Sequence, residues 1–203
     1  MADEHDADVD VEEQQEVQLD PETLARRAAA MSFIRQFGDP VLKSRAIEVD
    51  RFDEGLRSQV SRMAALMDDA LGVGLAAPQL GISQRLLVYR VGPDAPMIAL
   101  VNPEIEWSSD DEEPGEEGCL SIAGVNVDVD RAVHVRVRAR DELGEARVVE
   151  ASGLEARVIQ HELDHLDGTL ILDRTSRDQR RRAMRELRER EREQRERAAE
   201  QAA

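Results

Sequence analysis

The chain has 203 residues, a formal net charge of −17, only 2% aromatic residues and a single cysteine, Cys119. That length fits one domain with tails and is enough to bury a core. One cysteine excludes an intrachain disulfide framework, the acidic N-terminus is no secretory signal, and no apolar run could cross a bilayer, so a soluble, cytoplasmic protein is expected.

From Met1 to Glu22 there are many Asp and Glu and no Lys or Arg. Such a segment cannot bury enough apolar surface to offset its ordering entropy, and disorder is expected there. Much of the net charge sits in this tail, so it says little about what the folded part binds. DNA is not an expected partner.

Pro21 opens a short predicted helix through about Ala30, followed by an extended stretch with turns from Phe33 to Val49. Phe52 to Leu71 is predicted helical. Leu56, Val60, Met63, Ala64, Leu66 and Met67 recur at helical spacing and Gly72 stops the run. Between Gly72 and Gly81 small residues crowd together, so backbone must come close to something. Strands follow at Arg85–Val91 and Met97–Asn102, with Ile105–Trp107 as a separate short partner and Asp110–Gly115 as an acidic loop. Val133, Val135 and Val137 alternate with polar residues as a half-buried strand, Asp141–Gly144 is a turn, and Glu145–Ala151 returns. A helix is expected from Ser152 to about Leu166, with Ser152 and Glu155 forming a capping box and Gly168 ending it. From Ser176 onward, Arg and Glu at helical spacing predict a solvated helix.

The last well-signed helix carries His161-Glu162-Leu163-Asp164-His165. Histidines four apart share a helix face and can hold one metal ion, with Glu162 beside them to handle the proton of a catalytic water. A catalytic metal usually takes three protein ligands and keeps one position open. No histidine lies downstream of His165, and the downstream Glu residues fall in the Arg/Glu segment. Upstream stands Cys119. Taken alone it is most simply a small buried hydrophobe, but beside His161 and His165 the thiolate-ligand reading is favoured.

Three segments, Gly72–Gln79 (GVGLAAPQ), Glu117–Ser121 (EGCLS) and Gln160–Gly168 (QHELDHLDG), resemble the three signature motifs of peptide deformylases, in the same order and with similar spacing. The resemblance covers roughly Ile34 to Arg174. It implies an α+β fold in which antiparallel β-sheets pack around a central HExxH helix. It also implies hydrolysis of the N-formyl group from the formyl-methionine of nascent polypeptides, with release of formate. By the same resemblance, Cys119, His161 and His165 are the ligands of one divalent metal. Fe2+ is expected, with Zn2+, Ni2+ or Co2+ as substitutes. Glu162 is the acid/base, while Gln79 and the backbone N–H of Leu120 face the developing oxyanion. Gly74 pairs with the extended peptide, and Gly72, Val73 and Glu117 help to wall the methionine pocket.

Ala123 stands where many relatives carry proline and Asn126 where arginine is common, which bears on peptide contacts or loop structure near the cleft. Arg131 is expected as a structural ion-pair partner. The expected organisation is an acidic extension over 1–30, the catalytic domain over 31–175, and an Arg/Glu-rich helical tail over 176–203, in a monomer. From Arg174 to Glu200 arginines outnumber acidic residues, so the tail is electrostatically compatible with the ribosome. A metallopeptidase would explain HExxH but leaves the other two motifs without roles. A ribosome-associated metal-binding protein without catalysis would not need Glu162 and Gln79.

Overall fold

A computed structural model describes residues 19–201. The expectation of disorder over the first 22 residues falls mainly on positions outside that range. Helix α1 (Pro21–Met31) starts where Asp20 accepts the amides of Glu22 and Thr23, both at 3.0 Å, with proline in the first turn. Helix α2 (Glu54–Asp69) is capped by Asp53 and buries Leu56, Val60, Met63 and Met67 along one face, as their spacing predicts.

Strands β1 (Gly74–Ala76), β2 (Leu86–Tyr89), β3 (Ile98–Ser108), β6 (His134–Arg140) and β7 (Ala146–Ser152) form one antiparallel sheet in the order β1-β2-β3-β6-β7. Strands β4 (Glu112–Gly118) and β5 (Asn126–Ala132) form a separate antiparallel pair. Helix α3 (Gly153–Leu166), a single turn α4 (Ile171–Arg174) and α5 (Arg177–Gln201) complete the chain.

The main sheet lies between two helices. Leu86 and Val88 of β2 join Ala99 and Val101 in the core beneath α2, while Leu87, Tyr89 and Leu100 join Ile159, Leu163 and Leu166 of α3. Burial on both faces explains why β2 is an unbroken apolar run rather than an alternating one. Helix α3 is therefore enclosed, and each fully buried leucine around it contributes roughly 1.5–3 kcal/mol. The α+β architecture around a central HExxH helix is as expected.

Three expectations about the strands and the start of α3 differ from the structure. Ile105–Trp107 belongs to the same strand as Met97–Asn102, not to a separate partner. Register shifts divide β3 between Val101 and Glu104 and between Ile105 and Trp107. Asn102 sits at φ 51° and exchanges two 2.8 Å bonds with the Val49 backbone, which holds this irregular point in place. The acidic loop at Asp110–Gly115 is mostly strand: Glu112 to Gly118 pair with Ala132 to Asn126. The local sequence, with Pro114, Gly115 and several carboxylates, disfavours a strand, but a partner backbone outweighs that preference. Finally, the capping box at α3 does not form. The Ser152 hydroxyl bonds His134 Nδ1 at 2.8 Å, and Glu155 accepts the Tyr89 hydroxyl at 2.9 Å.

The C-terminal helix is not solvated all round. Ala183 is buried, and Met184 and Leu187 pack with it against Ile122, Val125, Val127 and Leu172. Gln179 grips β5, accepting the Asp128 amide at 2.7 Å and donating to its carboxylate at 2.7 Å.

Candidate metal centre

Helix α3 presents His161 and His165 one turn apart, ring centroids 5.1 Å from one another. Cys119 enters from the end of β4, at the start of the 3-10 turn Leu120–Ile122. The candidate ligand atoms of these three residues all lie within 4.8 Å of one another, with Sγ 3.3 Å from His165 Nε2. His161 Nδ1 is 2.9 Å from a Glu117 carboxylate oxygen, which leaves Nε2 for a metal and fixes the ring orientation.

Glu117 is itself buried and held. Arg131 reaches it with two bonds of 2.9 and 3.0 Å, and Arg157 adds one of 2.9 Å. Arg131 also donates to Asp164 at 2.6 Å, and Arg174 closes on the same carboxylate at 2.5 and 3.0 Å. Burial alone would raise the Glu117 carboxyl, but the bonds from His161 and Arg131 outweigh it and hold the pKa down at about 2. Arg131 is the ion-pair residue anticipated above. Its partner Asp164 and the contribution of Arg157 were not anticipated. A signal existed: Val127 and Val129 alternate inward along β5, so Arg131 must face inward too and needs buried carboxylates.

Glu162 is 4% exposed, and its Oε2 has no hydrogen-bond partner among the described residues. Burial pushes its carboxyl up to about 7. Burial also holds His165 well below the ordinary histidine value, so it is neutral. For His161, burial is outweighed by its bonds to Cys119 and Glu117, and its pKa lies well above the ordinary value. One thiol, two imidazoles and an unpaired buried carboxylate oxygen beside them fit a single borderline-soft divalent cation with an open position.

Gln79 is fully buried behind Cys119. Its Oε1 accepts the Ala76 amide at 2.8 Å, which turns its NH2 toward Ser121 Oγ, 3.3 Å away, and Cys119 Sγ, 3.9 Å away. The structure thus assembles the residues singled out in the sequence. Gly72, Val73, Gly74, Glu117, Cys119, Leu120, His161 and Glu162 line one cleft of about 450 Å³, while Gln79 and His165 lie just beneath it. Glu117 lines the cleft while its carboxylate is committed to His161 and the arginines.

Residues 31–181 match the family model described as polypeptide deformylase. The chain belongs to the peptide deformylase family. The peptide deformylase of Acidothermus cellulolyticus is 46% identical over 156 residues, covering 77% of this chain and 85% of that protein. That of Thermotoga neapolitana is 50% identical over 141 residues, covering 70% and 85%. The crystal structure of the Legionella pneumophila peptide deformylase matches with a TM-score of 0.75 at 42% identity, covering 79% of this chain and 95% of that one. The Synechococcus elongatus enzyme, solved in complex with actinonin, matches with a TM-score of 0.73 at 43% identity, covering 75% and 85%. Like the family, this deformylase is a metal-dependent hydrolase that removes the N-formyl group from nascent polypeptides. No described helix is long and apolar enough to cross a membrane.

Proposed function

We propose that the deformylation runs on ten residues in this cleft. Cys119, His161 and His165 hold one divalent cation, which when bound supplies a Lewis acid for activating water and polarising the formyl oxygen. Glu162 takes the proton of the attacking water and passes it to the departing amine nitrogen, so the carboxylate is regenerated each turnover. Its buried Oε2, without a partner among the described residues and next to the Cys/His cluster, is the observation that carries this reading. The Gln79 NH2, oriented by the Ala76 bond, donates to the oxyanion together with the Leu120 N–H.

Strand β1 ends the sheet order, with β2 on one side. The extended substrate pairs with its other edge at Gly74, and Gly72, Val73 and Glu117 border the methionine side chain. Ferrous iron is the proposed native metal, on family likeness; the His₂Cys donor set by itself accepts zinc, nickel or cobalt as well. The proposed setting is the cytoplasm, with a monomeric enzyme working on chains that leave the ribosome. The arginines on the outer face of α5 are suited to ribosomal RNA, and salt-sensitive co-sedimentation with ribosomes is the check on that contact.

The deciding assay is formate release from formyl-Met-Ala-Ser by anaerobically prepared protein, loaded with ferrous iron and compared with the chelated form. Metal-dependent formate with intact peptide bonds is expected. Cleavage of internal peptide bonds instead would sink the assignment, as would fully metallated, folded protein that yields no formate.

A further inference from the structure

We propose that Arg190 of α5 is a positioning residue for the deformylase site, latching the loop that forms one wall of the cleft. Arg190 lies 67 residues beyond Ala123, yet its Nη1 donates to the Ala123 carbonyl at 2.7 Å. The guanidinium then lies against Gly124. That residue has φ +73°, and a Cβ there would stand 2.9 Å from Arg190 Cζ and collide with Nη1. The absence of a side chain is therefore what lets the cation close on the backbone. Ala123, Gly124 and Val125 belong to the cleft lining, directly after the Cys119–Leu120 segment.

The helix that carries Arg190 is anchored behind the same loop. Ala183 and Leu187 pack on Ile122 and Val125, and Gln179 holds Asp128 on the strand that follows. The loop is thus held at its base by apolar packing and at its tip by one charge-assisted bond. The latch rests on the 2.7 Å bond itself. Ala123 and Asn126 leave this loop without a ring or a cation of its own. The latch supplies both order and positive charge at the rim. Loosening it enlarges the set of wall conformations that substrate must select from. The effect falls on binding of the peptide rather than on proton transfer at Glu162.

This inference rests on the deformylase reading for its kinetic arm only. Arg190→Ala, Arg190→Lys and the control Arg185→Ala are compared with wild type as iron-loaded full-length proteins. Hydrogen exchange of the 121–126 amides, melting temperature, and kcat and KM on formyl-Met-Ala-Ser are measured. For Arg190→Ala, exchange at 121–126 rises about tenfold and KM about fivefold, with kcat within about twofold and melting unchanged. Arg190→Lys, which restores one donor, falls between, and Arg185→Ala matches wild type. Unchanged exchange and KM in Arg190→Ala overturn the latch. So does a loss of kcat that merely follows a lower melting temperature. Wild-type protein that yields no formate while Arg190→Ala still shows the exchange difference removes the deformylase reading and leaves the latch standing.

Discussion

Gly74 on β1 and Glu162 on α3 face each other so closely that a Cβ on Gly74 would lie 2.8 Å from both Glu162 Cγ and Cδ and collide with Oε1. The glycine is required by the Glu162 side chain as it is packed against β1. Gly74→Ala must push Glu162 off its position. Since a misplacement of about 1 Å can cost roughly 10²-fold, kcat/KM should fall by about that factor while metal content stays at one per chain. Steady-state kinetics with metal analysis checks this; an alanine variant of near-normal activity would mean that Glu162 has freedom the packing denies it.

Glu162→Gln keeps the shape of the side chain but cannot accept a proton. It should retain the fold and bind metal, and lose about 10²- to 10⁴-fold in kcat. Formate release by the metal-loaded variant is the measurement, and turnover within tenfold of wild type would remove Glu162 from the proton path.

Metal uptake should release protons. In the metal-free site His161 is held protonated by Cys119 and Glu117 against the opposing effect of burial, and burial keeps Glu162 protonated up to about pH 7. An imidazolium cannot ligate, and a cation favours ionised Glu162. At pH 6 at least about one proton per metal is expected. Calorimetric titration in two buffers of different ionisation enthalpy reads this directly, and identical heats in both would contradict it.

The Glu117–Arg131–Asp164 cluster should govern acid stability. Glu117 has a folded pKa of about 2 against an ordinary value of 4.5. A depressed carboxyl contributes stability that is fully present above 4.5 and is lost as pH falls toward 2. The contribution is on the order of 3 kcal/mol. Denaturant midpoints of Glu117→Gln should therefore fall less steeply than wild type over that window. Arg131→Met, which strips buried Glu117 and Asp164 of the cation they share and leaves Glu117 to Arg157 and His161 and Asp164 to Arg174, should cost about 3 kcal/mol at neutral pH.

Ser152→Ala separates the sequence reading from the structure. A working N-cap is worth roughly 1 kcal/mol, whereas a hydroxyl bonded to exposed His134 should cost under about 0.5 kcal/mol. Urea unfolding resolves the two values.

Three motifs and the spacing of two histidines were enough, from the sequence, to single out the residues that the structure gathers at one site: Cys119, His161 and His165, with Glu162 and Gln79 beside them. Such side chains recur in fixed order because the chemistry demands those atom types. Helix α2, helix α3 and the apolar β2 run were equally legible, because a helical period or an unbroken run is a local record of which faces are buried. What only the tertiary structure decided were the features with distant causes. Strand β4 forms from an acidic, glycine- and proline-containing segment because β5 offers it a backbone partner. Ser152 leaves the cap unmade, and its hydroxyl bonds His134 on the neighbouring strand instead. Glu117, besides lining the cleft, supports His161 because Arg131, 14 residues on, is buried with it. And α5, whose sequence is that of a solvated helix, docks through Ala183 and Leu187 and reaches the cleft with Arg190. No local pattern can encode a contact whose two halves are tens of residues apart.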